Sequence, residues 1–386
     1  MESFKEIAPI ANEIIKKYYL CDFCLGRLFS KKLNLSSNKL LGKKIKQHIS
    51  IPSKNCYICK DLFTAIPWYL KKMIEVSNGY EFSSFVVGTK IKPSIVDRDD
   101  YIRSKFKIRG ADGVKTGITH ELSKQFSKKT KKNIDFLDPD ITFTLDFKDQ
   151  SCQIRSKQLF LQGRYTKTKR GLSQKQKSCE NCFGKGCRVC NFHGLTDFTS
   201  VEGEISKILF DTFGGTIAKF IWIGGEDKSS LVLGSGRPFF VRLQNPITRK
   251  KTFRKSIKTN SIVIHNFKII SDIPKQSPAF ASLIEISITT EKAINSSLLK
   301  KLKILTSSPI VIYENSGKRS EKKIFDVFFK KKSKNQFLLT IRAEGGLPVK
   351  RFVIGDNVVP GVSQILDTCC NCEEFDFLEI QMITNN

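Results

Sequence analysis

The sequence predicts an α+β protein: helical and mixed segments in the N-terminal half, a strand-rich C-terminal half, and two tetracysteine metal modules. Three observations carry this reading. Helical spacing of apolar residues opens the chain, period-two alternation recurs beyond residue 200, and eight of twelve cysteines fall in C-x2-C pairs. At 386 residues there is room for two or three domains at about 150 residues each. Hydrophobic residues make up 40% of the chain, enough for real cores, so a disordered polypeptide is excluded.

The elements follow in order. Ile7, Ile10, Ala11, Ile14, Ile15 and Tyr18 share one helical face. Cys21 and Cys24 come next, and Cys56 and Cys59 follow after 31 intervening residues. The segment from Leu62 to Leu161 is mixed, with strand-like Phe82–Val87 and Ile141–Phe147, a polar helix around Gly117–Gln125, and a basic run at 128–132. Gly163–Lys177 is dense in Arg, Lys, Gln and Ser and ends at CENCFGKGCRVC. Beyond residue 200, Ile284, Ile286 and Ile288 alternate with polar residues. Ile324–Phe329 and Phe337–Ile341 flank a polar turn and predict a hairpin.

Composition narrows the partner. Sixty-six basic and 37 acidic residues give a net charge of +29, which favours a polyanion such as RNA. The N-terminus lacks the pattern of a secretory signal, and no apolar run reaches the roughly 18 residues of a membrane span. The expectation is a cytoplasmic protein whose thiols stay reduced.

Cys21, Cys24, Cys56 and Cys59 form one candidate metal site, and Cys179, Cys182, Cys187 and Cys190 a second. Two C-x2-C turns bring four soft thiolates around one ion and leave no open position, which predicts structural zinc rather than a catalytic metal. An iron–sulfur cluster is the alternative for the same thiolates. In the second site Gly184 and Gly186 supply the tight turns of a knuckle.

The candidate active site is IGGEDKSS, residues 223–230, between the apolar KFIWI and LVLGSGRPF. Glycine loops around an acidic pair suggest backbone held close to a ligand. Here the chain resembles the archaeal and eukaryotic tRNA pseudouridine synthases that carry an RNA-binding THUMP domain and act on T-arm uridines. LCDFCLGRLF and CYICKDLF are similar to that family's N-terminal zinc motif. GRYTKTKRGLSQ is similar to its GRY-x-K-x-x-R-x-x-x-Q element, and GGED…LVLGSGRPF to its catalytic loop. VKRFVIGD, Val349 to Asp356, is similar to its C-terminal active-site strand.

The resemblance implies a zinc module over 1–61, a THUMP-like α/β domain over 62–162, and a catalytic domain over 163–386 with the knuckle 179–190 inserted. It implies a mixed, mainly antiparallel catalytic sheet with a central cleft, and conversion of tRNA uridine 54 and/or 55 to pseudouridine. Asp227 takes the nucleophile's position and Lys350 that of its cation. Phe280 takes the stacking position, and Arg164, Tyr165, Arg237, Pro348 and Val349 are the other expected substrate contacts. Glu226 is expected to point away from Asp227. The expected partner is tRNA, bound by a monomer, with no membrane, no nucleotide and no catalytic cofactor. Three positions differ from many relatives: Gly225 stands where Arg is common before the Glu-Asp pair, and Phe280 and Pro348 stand where Tyr is common. Arg237 or another group is expected to replace the missing arginine in displacing the base. Two other classes compete. An ATP-dependent tRNA thiouridine synthetase would use GGEDKSS as a pyrophosphate loop, although Ile223 and Lys228 replace its two hydroxyls. A non-catalytic zinc-knuckle protein would bind RNA without changing it.

Overall fold

The computed structural model describes residues 2–33, 37–47, 55–314 and 316–383. The chain divides into two compact units, Met1–Lys157 and Gln158–Asn386.

The first unit begins with helices α1 (Glu2–Lys17), α2 (Asp22–Leu33) and α3 (Asn38–Lys46). Helix α4 (Ile66–Val76) leads into strand β1 (Ser84–Lys90), helix α5 (Pro93–Lys105) and helix α6 (Val114–Thr130). Strands β2 (Asn133–Ile134), β3 (Ile141–Asp146) and β4 (Ser151–Ser156) complete a four-stranded sheet in the order β2-β1-β3-β4. β1 runs parallel to β2 and β3, and β4 returns antiparallel to β3. Alternation explains the sheet: Ile141, Phe143 and Leu145 on β3 are fully buried against α6 residues such as Ile118 and Phe126.

One apolar core runs from the N-terminal helices through this sheet and includes Cys24, Cys56 and Cys59. A buried ion pair ties the same regions together. Arg27 on α2 reaches Asp99 on α5 and the carbonyl of Asp112, and Asp99 also accepts from the Val114 amide at 2.9 Å. Both side chains are 1% exposed, so neither charge has water to fall back on.

The second unit contains β5 (Leu159–Lys167), α7 (Val201–Phe213), β6 (Ala218–Trp222), β7 (Val232–Leu243), β8 (Ser256–Lys258), β9 (Ile262–Ile270) and β10 (Phe280–Thr290). Then come α8 (Ser296–Lys300), β11 (Ile310–Tyr313), β12 (Arg319–Lys322), β13 (Ile324–Lys331) and β14 (Gln336–Glu344). α9 (Val349–Ile354), β15 (Val358–Val359), α10 (Val362–Leu366) and β16 (Cys370–Met382) end it. The large sheet has the order β13-β14-β10-β16-β7-β5-β9-β8, with β6 added on β7. All its pairings are antiparallel except β16–β7, which meet in parallel at Phe377 and Val232. The sheet is therefore mixed and mainly antiparallel, and its two halves join at that short parallel seam. Ile284, Ile286 and Ile288 on β10 all point into the core, and β13 and β14 form the hairpin their sequence predicts.

One expected element differs. VKRFVIGD is not a strand: Val349–Ile354 is helix α9. Val349, Phe352 and Val353 are buried, the i, i+3, i+4 spacing of a helix face, between Pro348 as N-cap and left-handed Gly355 after the last turn. Local β propensity from two valines and an isoleucine gives way to this tertiary burial. Among the described residues no helix is long and apolar enough to cross a membrane.

Candidate active site and metal centres

The loop from Gly224 to Ser230 leaves β6 and enters β7 beside the parallel seam. Gly224 has φ +79, and a Cβ there would lie 2.5 Å from the Phe280 ring and 2.7 Å from Arg237 Nη1. Only glycine fits both the backbone and the space.

Asp227 ends this turn at an open cleft of 420 Å3, lined also by Pro348, Val349, Lys350, Phe375 and Phe377. Its Oδ1 accepts from the Ser229 hydroxyl at 2.7 Å and the Ser229 amide at 2.9 Å. Its Oδ2 accepts from Lys350 Nζ at 2.9 Å. The Ser229 hydroxyl and then its amide, helped by the Lys350 ammonium, hold the carboxyl down at about 2 against the opposing effect of partial burial. The side chain keeps 32% of its surface exposed, so the carboxylate is charged and reachable. A larger hollow of 500 Å3, lined by Arg164, Phe253, Arg254, Lys255 and Lys268 among others, contains neither Asp227 nor Lys350.

Glu226 points the other way, into the protein. Tyr165 donates to its Oε2 at 2.8 Å and Arg237 Nε at 3.2 Å, while Lys167 Nζ sits 3.1 Å from Oε1 as an ion pair without ideal hydrogen-bond alignment. Lys167, Glu226 and Arg237 have no exposed side-chain surface. Burial, and then the neighbouring Glu226 carboxylate, push the Tyr165 phenol well above its ordinary range, so it stays a proton donor. Lys167 also donates to the carbonyl of Asp227 at 3.1 Å and to that of Leu172 at 3.0 Å.

The GRYTKTKRGLSQ element thus braces the 224–230 loop. Gln174 donates to the Gly224 carbonyl at 3.3 Å and to the Tyr165 hydroxyl at 3.1 Å. Arg170 holds the Ser229 carbonyl at 2.6 Å and grips Asp376 with two 2.7 Å bonds. Arg164 bonds the Ser235 carbonyl and hydroxyl and the carbonyls of Gly236 and Ile380. A stretch whose composition suggests a phosphate-binding surface has Tyr165 and Lys167 buried, and Arg164 and Arg170, at the surface, bonded to other parts of the protein.

Of the residues singled out by sequence, Asp227, Pro348, Val349 and Lys350 meet at one cleft. Phe280 is half-buried beside it. Its ring occupies the space that a side chain at Gly224 or Gly345 would need, bridging the segments that lead to Asp227 and to Lys350. Tyr165 and Arg237 are fully buried. The base-displacing role expected of Arg237 is incompatible with this placement, because its guanidinium lies on the Phe377 ring at 4.4 Å and is bonded to Glu226 and the Ile223 carbonyl. Ser229 and Asp376 have no role in the sequence reading, and Lys167 and Gln174 enter it only as fixed positions of the GRY element. The first is two residues from Asp227, and a carboxylate followed at that spacing by Ser is the available signal, an Asx-type turn.

The two sets of cysteines could each hold zinc. All twelve cysteines are free, and within each set the four Sγ atoms lie within 4.8 Å of one another. Cys21–Cys59 Sγ are 3.7 Å apart, Cys187–Cys190 3.7 Å and Cys182–Cys190 3.8 Å. A tetrahedron with bonds of about 2.3 Å has edges of about 3.8 Å. Backbone amides of Gly186 and Gly194 point at Cys182 and Cys190 Sγ at 3.2 Å, as suits thiolates. The first set is mostly buried in the core of its unit, and the second is largely at the surface.

Comparison with known proteins agrees with this architecture. The family model described as Pus10, C-terminal, matches residues 160–381, and that of the archaeal Pus10 THUMP domain matches residues 69–146. The chain is 58% identical over 382 residues to the tRNA pseudouridine synthase Pus10 of Nitrosopumilus maritimus, covering 99% of this chain and 100% of that protein. It is 34% identical to the same-named protein of Cenarchaeum symbiosum, over 94% of this chain and 90% of that one. The Methanocaldococcus jannaschii protein of that name is 28% identical over 96% of this chain and 94% of its own length. With a family model spanning most of the second unit and relatives matching nearly end to end, this chain belongs to the Pus10 family.

Proposed function

We propose that the protein isomerises uridine to pseudouridine in the T-arm of tRNA, with Asp227 as nucleophile. The observation that carries this is the carboxylate held ionised at the floor of an open cleft by Ser229 and Lys350. Asp227 adds to the extruded nucleotide, the N1–C1′ bond breaks, the base turns within the cleft, a C5–C1′ bond forms, and the bond to Asp227 breaks to free the carboxylate. C5 loses a proton and N1 gains one, so substrate and product have the same atoms and the reaction needs neither ATP nor a redox partner. Lys350 and Ser229 hold the carboxylate oriented, and Pro348, Val349 and Phe377 wall the cleft. The thiolation reading is disfavoured because GGEDKSS leads into strand β7, whereas a pyrophosphate cradle uses a helix N-terminus. The test is to incubate purified protein with tRNA transcript without ATP and map pseudouridine. Absence of product, or product outside the T-arm, counts against the respective part of the proposal.

Phe280 is proposed to stack near the target base at the cleft rim. Phe280→Ala is expected to lower turnover at least about tenfold, while Phe280→Tyr retains most activity, because a base stack contributes about 1–3 kcal/mol and the tyrosine face is equivalent. If the folded fraction of Phe280→Ala turns over normally, the ring is only a packing residue.

Both cysteine sets are proposed to bind structural zinc, and the working protein to be a cytoplasmic monomer bound to tRNA. Chelation is expected to strip the surface knuckle first, with little change in circular dichroism. Loss from the buried set should unfold the first unit, because about 10–16 kcal/mol of folding free energy is tied to such an ion. Metal analysis finding no zinc in the native protein would sink this prediction.

A further inference from the structure

The knuckle around Cys179–Cys190 carries large side chains that nothing in the catalytic unit covers. Phe183 is 81% exposed, Val189 77% and Phe192 51%, on one small module whose turns interlock: Gly186 lies against Phe192, and Gly184 against Gly194. Phe183 and Phe192 also adopt left-handed backbone, φ 50 and 62, which bulky residues avoid. An aromatic residue at such a position gains nothing for folding when its ring is left in water.

The module is firmly mounted. The His193 ring stacks on Phe210 of α7 at 3.9 Å, and its Nδ1 lies 3.1 Å from the Thr216 carbonyl. Its surroundings are basic: Lys175, Lys177, Lys185 and Arg188 are exposed against two acids, Glu180 and Asp197. That excess offsets the net negative charge that four thiolates around a divalent ion would carry. It also stands close to the cleft. Gln174, bonded to the Gly224 carbonyl, precedes Cys179 by five residues, a reach of at most about 18 Å, or roughly five nucleotides of strand.

We propose that the knuckle tip is a second RNA contact, in which Phe183 and Phe192 stack on unpaired bases while Lys185 and Arg188 meet the adjoining phosphates. It rests on the reading of this protein as a tRNA-modifying enzyme and adds where the same RNA is gripped beyond the target uridine. Exposed rings with interleaved cations are the features that bind unpaired nucleic acid without sequence readout.

The experiment compares full-length zinc-loaded wild type with the pairs Phe183→Ala/Phe192→Ala and Phe183→Tyr/Phe192→Tyr. It measures tRNA binding by fluorescence anisotropy at one salt concentration, and single-turnover pseudouridine formation at saturating tRNA. The alanine pair should bind about tenfold or more weakly, the tyrosine pair like wild type, and the saturated rate should change little. Equal affinity of wild type and alanine pair overturns the proposal, as does loss of self-association in place of RNA affinity, which makes the tip a protein interface. Should the alanine pair lose zinc, Lys185→Glu/Arg188→Glu carries the test, with unchanged affinity again overturning it. A wild type that binds tRNA but makes no pseudouridine counts against the enzymatic reading alone, because the affinity comparison still stands.

Discussion

Asp227→Asn and Asp227→Ala are expected to abolish pseudouridine formation, by at least about a thousandfold, while tRNA affinity stays within a few-fold of wild type. Neither an amide nor a methyl can form the covalent intermediate, and asparagine keeps nearly the same volume at a site that is one-third exposed. Lys350→Met should fall between, since the Ser229 hydroxyl and amide still hold the carboxylate ionised. The pH dependence follows from the depressed carboxyl. With its value at about 2 in the folded protein, Asp227 stays charged through the neutral range. The stabilisation from its partners is fully present above the ordinary carboxyl value near 4 and is lost as pH falls through 2. An acid limb in the activity profile between pH 5 and 8 therefore reports another group. A folded Asp227→Ala protein with undiminished turnover would overturn the catalytic assignment.

Much of the fold is legible in the sequence because its signals are local. Ile284, Ile286 and Ile288 announce a strand, and the C-x2-C turns announce where thiolates converge. Asp227, the proposed nucleophile, is legible through its glycine-flanked loop. Other features depend on distant chain. The family resemblance implies a strand at Val349–Ile354, and the segment is a helix because Val349, Phe352 and Val353 find one core. Arg237 reads as a free cation beside the active loop. Its burial is set by Glu226 from before the strand and by Phe377 from some 140 residues later. Charge in Gly163–Lys177 is legible, but not that Lys167 is buried and that Arg170 is bonded to Asp376. Pairing across the sheet decides this, and it leaves no mark in local spacing.

Glu226→Gln is expected to destabilise the second unit strongly, despite altering one atom next to Asp227. Lys167 and Arg237 are both cations without exposed surface, and Glu226 is the anion they share. Its loss leaves two buried charges facing one another across a neutral amide. Removing one partner of a buried ion pair costs about 3–5 kcal/mol, which for a unit of this size lowers the melting temperature by about 10 °C. Activity should fall as well, because Lys167 also holds the Asp227 carbonyl and Gln174 the Gly224 carbonyl, fixing the loop from which the proposed nucleophile projects. A neutralised pair gives the discriminating comparison. Lys167→Met with Glu226→Gln removes one cation together with the anion, so it should melt closer to wild type than Glu226→Gln alone, though the Lys167 bond to the loop stays absent and turnover stays low. Stability that recovers without activity would mark the cluster as the device that positions Asp227. A Glu226→Gln protein with wild-type melting temperature and turnover would show that the buried cations are satisfied some other way and that the loop does not depend on them.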